Sequence, residues 1–120
     1  MSYLNPRTHD LTTPEGVDAV RHTNGVLEEI RAERQRQDAK WGEQNHPDGT
    51  GGPVMRREAD EMRARCQFLA GLGAVDWRAI LLEEAYEAMA EDDPVKLRAE
   101  LLQVAAVAVA WVEAIDRRQP

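Results

Sequence analysis

The chain has one cysteine, Cys66, and only 5% aromatic residues. A single thiol forms no internal disulfide and no cysteine-rich zinc site. Alternating runs of β-branched residues between hairpin turns are also missing, so there is little to build a strand from. The most apolar run, residues 104–112, lies between Gln103 and Glu113. It falls well short of the roughly 20 residues that a membrane-spanning helix takes. The first ten residues hold no apolar core of a secretory signal. Positive charge is in deficit, with 22 Asp and Glu against 15 Lys and Arg, a net −7 at pH 7. A surface that acidic repels a phosphate backbone and argues against a nucleic-acid partner. A small phosphorylated ligand stays open, because a divalent cation can bridge carboxylates to phosphates. These absences point to a cytoplasmic protein (in the host cytosol if a phage encodes it) with neither nucleic acid nor membrane as a partner.

What is present is helical. Hydrophobic residues make up 42% and charged residues 31% of 120 residues, an ordinary globular mix for one domain. Thr13-Pro14-Glu15 combines an N-cap, a first-position proline and an acidic first turn. Asn24-Gly25 favours a turn and puts in question a helix running through it. The segment 1–23 is therefore set apart as an N-terminal piece with room for a short helix, and 24–120 as a helical domain. From Val26 to about Trp41 the spacing is helical, with Val26, Leu27 and Ile30 on one face. Residues 42–53, rich in glycine and ending in Pro53, form a loop. Met55, Ala59, Met62, Cys66 and Leu69 then recur at three- and four-residue steps, the stripe of an amphipathic helix that stops near Gly71 and Gly73. Asp76 caps a helix over about 77–91, and Asp93-Pro94 starts the last one, over about 94–117. That last helix is apolar nearly all round between Leu101 and Val112, and such a helix must be covered on every side. The expected fold is all-α, a four- to five-helix bundle completed by homo-oligomerisation as a dimer or tetramer.

Carboxylates on the last two helices are placed for chemistry. Leu81, Leu82, Ala85, Ala88 and Met89 share one arc of the helix after Asp76, with Glu84 and Glu87 at its border and Glu83 on the solvent side beside Glu87, of use to the pair only if a second subunit or helix covers it. Residues three apart on a helix are about 5–6 Å apart at Cβ, so Glu84 and Glu87 can share one cation. Glu100 and Gln103 repeat the same step on the next helix. A short Asp92-Asp93-Pro94 turn brings the two pairs face to face. Three carboxylates and an amide oxygen make a hard site for Mg²⁺, with Mn²⁺ as substitute. The plain alternative is that glutamates on helices are mostly solvated surface.

Leu81-Leu82-Glu83-Glu84-Ala85-Tyr86-Glu87-Ala88, followed by Leu97-Arg98-Ala99-Glu100-Leu101-Leu102-Gln103, resembles the MazG family of all-α nucleoside triphosphate pyrophosphohydrolases. That family carries Glu-x-x-Glu on one helix and Glu-x-x-Asp on the next. Glu84 and Glu87 match the first pair and Glu100 the start of the second, while Gln103 stands where the family has aspartate. Trp41-Gly42-Glu43-Gln44-Asn45-His46 is similar to a Trp/Gln/His segment ahead of the motif, one residue shorter between Trp and Gln. The resemblance implies a Mg²⁺-dependent enzyme that cleaves a (d)NTP or related nucleotide to the monophosphate and pyrophosphate. Glu84, Glu87 and Glu100 would then be catalytic and, with Gln103, metal-binding.

Further residues are candidates for the nucleotide. Arg34, Gln37 and Trp41 continue the Val26, Leu27, Ile30 face, which either lines a cavity or marks where that helix leaves the core. The similar Trp/Gln/His segment adds His46. On the wheel Trp111 falls with Glu100, and Trp77 with Glu84, where each either stacks on a base or packs in the core. Cys66 reads as a small buried side chain. Arg56, Arg57, Arg63 and Arg65, interleaved with acids, read as a solvated face, with phosphate contact as the lesser alternative. Two other classes stand beside the enzyme. One is a nucleotide-binding module or sponge with little turnover, suggested by Gln103. The other is a helical interaction protein, suggested by the apolar last helix.

Overall fold

The computed structural model describes residues 12–118, so the first eleven residues of the N-terminal segment lie outside the described part. It holds four helices: α1 (Pro14–Trp41), α2 (Pro53–Gly71), α3 (Trp77–Met89) and α4 (Pro94–Arg118). No strand occurs among the described residues, and no helix there is long and apolar enough to cross a membrane. The chain divides into two compact units, one of Asp48–Ala108 and the other of residues 12–47 with 109–118.

Local chemistry sets the helix ends. Thr13 sits in extended geometry and its hydroxyl accepts a hydrogen bond from Gly16 N at 3.1 Å, with Pro14 opening α1. At the other end Gly42 takes φ 67°, which only glycine adopts freely, and its N–H returns to Asp38 O at 2.8 Å. The Asp76 carboxylate caps α3 by accepting from Ala79 N at 2.8 Å. In the first unit the stripe of α2 turns inward. Ala59 and Cys66 are buried, and Cys66, Ala79, Ile80 and Val107 form a core with Leu69, Val75, Trp77 and Leu81 packed on it. Burying side chains the size of Ile80 or Val107 contributes about 1.5–3 kcal/mol each. Trp77 therefore packs in the core.

The turn favoured by Asn24-Gly25 does not form. α1 is one helix of 28 residues, and the boundary expected at 23/24 falls inside it. A glycine within a helix costs about 1 kcal/mol relative to alanine, and contacts on either side offset that. Thr23 Oγ1 donates to Glu113 of α4 at 2.5 Å, His22 Nε2 lies 2.8 Å from Asp116, and Val26 is buried.

The wheel of α3 is also rotated from its expected setting. The buried residues are Ala79, Ile80, Glu83, Glu84 and Ala88, whereas Met89 of the expected arc is exposed. α3 carries apolar residues both on the side it buries, Ala79, Ile80 and Ala88, and on the other, Leu82, Ala85 and Met89, so its own apolar centre is weakly defined. Packing against α2 and Val107 selects the side that faces inward.

Candidate functional site

The rotation of α3 carries two carboxyl groups into the interior. Glu84 is 2% exposed, and its Oε1 has no hydrogen-bond partner. Burial pushes its pKa up, and the nearby negative charges of Glu100 and Glu87 push it further. Glu84 on α3 and Glu100 on α4 therefore lie within electrostatic reach of each other, as the repeated three-residue step anticipates. The orphaned oxygen of Glu84 is thus a buried acceptor left open, under the negative charges of Glu100 and Glu87.

Glu87 is occupied. Arg56 Nη2 donates to its Oε2 at 3.0 Å, and Arg63 Nη2 pairs with its Oε1. Both guanidiniums come from α2, and the carboxylate they hold is 11% exposed. The pairing raises the Arg56 pKa, the Glu87 hydrogen bond being the largest cause. With Glu87 turned to the arginines, no three His, Cys, Asp or Glu side chains among the described residues are arranged to hold a metal ion. Gln103 lies exposed one turn beyond Glu100.

Glu83 departs most from expectation. The solvent side anticipated for it is an interior position: Glu83 is 0% exposed and neither of its oxygens has a hydrogen-bond partner. Its neighbour is Cys66 of α2, close enough to couple electrostatically but outside hydrogen-bond geometry. Burial pushes the Glu83 carboxyl up. It also pushes the Cys66 thiol up to about 12, with Glu83 adding to the effect. A thiol held neutral in this way is no nucleophile, in keeping with its reading as a buried small side chain.

The remaining candidates belong to the second unit. Arg34 Nη1 donates to Gln37 Oε1 and Nη2 to Asp38 Oδ1, both at 2.8 Å. Arg34, Asp38, Gly42, Glu43 and Gln44 line an open polar cleft of about 570 Å³. Trp41 is 62% exposed, and Lys40 Nζ lies 4.8 Å from the centroid of its ring. His46 Nε2 is 3.0 Å from Gln44 Oε1. Here α1 carries polar side chains out into solvent.

The sequence reading missed Arg56 and Arg63 as partners of Glu87. Their signal was present: Arg56, Asp60 and Arg63 recur at four- and three-residue steps, one position over from the stripe that α2 buries. Such a border row faces a neighbouring helix. No protein-family model, curated protein or solved structure matches this chain.

Proposed function

We propose that the chain is a Mg²⁺-dependent nucleoside triphosphate pyrophosphohydrolase of the MazG-like type, with Glu84, Glu87 and Glu100 as the carboxylates that hold the cation and Gln103 as a weaker oxygen ligand. One observation carries the reading. Glu84 is buried with an unpartnered oxygen, beside the two carboxylates that the Glu-x-x-Glu and following Glu-x-x-Gln motifs single out. A buried polar atom left unpartnered costs the fold about 1–3 kcal/mol, a cost that a bound cation would offset. Mn²⁺ would serve in place of Mg²⁺.

A bound divalent cation neutralises a triphosphate and polarises the phosphorus under attack. The protein's own part is to hold that charge and to orient water. One carboxylate of the set takes a proton from the attacking water. The water oxygen joins the α-phosphorus, the bond to the bridging oxygen breaks, and pyrophosphate leaves as the monophosphate forms. No covalent nucleophile is needed, which agrees with a neutral Cys66. Arg34, Gln37, Trp41 and His46 stay candidates for nucleotide contact on their own chemistry: a guanidinium, an amide, an exposed ring and an imidazole.

The same reading takes the chain as a cytoplasmic homo-oligomer. Val17, Val20, Leu27 and Ile30 of α1 are exposed, as are Val112 and Ile115 of α4 in the same unit. Apolar surface repeated at helical spacing is what a second copy would cover. A second reading, a nucleotide sponge with little turnover, is favoured by Gln103, which brings no negative charge to the cation.

Incubation with Mg²⁺ and a panel of ribo- and deoxynucleoside triphosphates, read for pyrophosphate, tests the proposal. Release that disappears in Glu84→Ala supports the enzyme. Nucleotide binding without release selects the sponge. Neither binding nor Mg²⁺-dependent thermal stabilisation ends both readings and leaves the helical interaction protein.

A further inference from the structure

The row of α2 that carries Arg56, Asp60 and Arg63 has no part in the reading above, yet two of its members grip one of the proposed ligands. Glu87 receives a guanidinium on each oxygen, from Arg56 at 3.0 Å and from Arg63. Asp60 sits between the arginines, 3.3 Å from Arg56 Nε and 3.3 Å from Arg63 Nη1. Two positive and two negative groups balance as the cluster stands. One arginine, binding through both prongs of its fork, would be enough to pin Glu87 to α2. The cluster spends two, and each keeps more than a third of its side chain open to solvent, 44% for Arg56 and 36% for Arg63.

We propose that Arg56 and Arg63 are polyphosphate-binding residues held in reserve on Glu87: they neutralise that carboxylate while no cation is bound, and are released to the phosphates when Glu87 turns to the cation. The inference rests on the cation reading of Glu84, Glu87 and Glu100. Withdrawal of Glu87 leaves two guanidiniums against Asp60 alone, a net positive charge next to the carboxylates that hold the cation. A guanidinium presents a planar pair of donors that matches two phosphate oxygens, so a polyphosphate chain is the ligand this charge and geometry fit. The exchange reconciles a net charge of −7 with an anionic ligand, since the positive charge is confined to one row and masked until needed.

Calorimetry with inorganic tripolyphosphate and Mn²⁺ as probes tests this on the full chain. In EDTA, Glu87→Gln removes the charge that masks the arginines, and tripolyphosphate should bind it about tenfold more tightly than the native protein, about 1.4 kcal/mol. Adding Arg56→Gln and Arg63→Gln to that variant should abolish the gain. On the native background, the two arginine substitutions should leave Mn²⁺ affinity equal or raised while weakening tripolyphosphate binding in the presence of Mn²⁺ by about tenfold. Arg56→Lys and Arg63→Lys, which keep charge but lose the fork, should recover part of it. Circular dichroism checks folding, and should Glu87→Gln unfold, the native-background series decides. A folded Glu87→Gln with no gain, or arginine variants that lose Mn²⁺ and tripolyphosphate together, overturns the inference and leaves the arginines as a tie between α2 and α3. A native chain that takes up no Mn²⁺ defeats the cation reading and the release with it. Mn²⁺ uptake without any gain in Glu87→Gln defeats the arginine inference alone.

Discussion

Replacing Glu84 by methionine should make the protein more stable and less able to bind a cation. Methionine matches glutamate in length and adapts to the same space, so the change removes the polar end with little loss of volume. In the native chain that end is 2% exposed and its Oε1 lacks a partner. Leaving a buried polar atom unpartnered costs about 1–3 kcal/mol. For a chain of this length, each kcal/mol moves the melting temperature by roughly 4 °C, which gives an expected rise of about 4–12 °C. The pH dependence has a definite sign. Burial, with Glu100 and Glu87 nearby, raises the folded-state pKa of Glu84 above its unfolded value. Its native stability is therefore complete below the ordinary glutamate range, near pH 4.3, and is lost as pH rises through the folded value. The gap between Glu84→Met and native should widen from about pH 4 upward. Thermal melts followed by circular dichroism in EDTA, at about pH 4 and about pH 8, measure it. Repeating them with Mg²⁺ should raise the native melting temperature and leave the variant unmoved. A variant that melts at or below the native chain at both pH values would falsify the reasoning, because Glu84 would then have a partner that satisfies it.

Three other substitutions test separate links. Gln103→Asp restores a carboxylate next to Glu100 and should tighten Mg²⁺ binding in calorimetry by about tenfold, within what one added charge supplies near a surface; an unchanged affinity removes position 103 from the ligand set. Light scattering should give the native chain a mass at least twice 13.5 kDa. Ile30→Glu, which puts a charge on the exposed apolar row of α1, should return it to a single chain, and a native monomer at micromolar concentration would end the oligomer. Gly51→Ala forces a side chain onto φ 93° and aims its Cβ at the Asp92 carboxylate. Asp92 is exposed and can swing aside, so the remaining backbone strain should cost about 1–3 kcal/mol in denaturant melts. An unchanged midpoint would mean that the loop does not need that geometry.

The elements read from sequence were those fixed by short-range chemistry. Thr13-Pro14 and Asp76 cap their helices through hydrogen bonds that span three residues, so the residues themselves name the boundary. Gly42 ends α1 because of its own φ, and the stripe from Met55 to Leu69 is a period of the chain. Within the candidate site, the nearness of Glu87 and Glu100 to Glu84, close enough for their charges to act on it, was legible for the same reason: helical spacing and a short connection leave little freedom.

What escaped the sequence depends on partners far along the chain. Asn24-Gly25 prefers a turn by itself, and bonds from Thr23 and His22 to residues some ninety positions away hold it helical. The setting of α3 about its axis, and with it the burial of Glu83 and the exposure of Met89, was decided by where α2 and Val107 pack, since a helix with Ile80 on one side and Leu82 and Ala85 on the other has no strong inward side of its own. The grip of Arg56 and Arg63 on Glu87 joins residues 31 and 24 positions apart. Local propensities differ by about 1 kcal/mol per residue or less. One buried contact outweighs that, so the tertiary structure settles whatever the chain leaves evenly balanced.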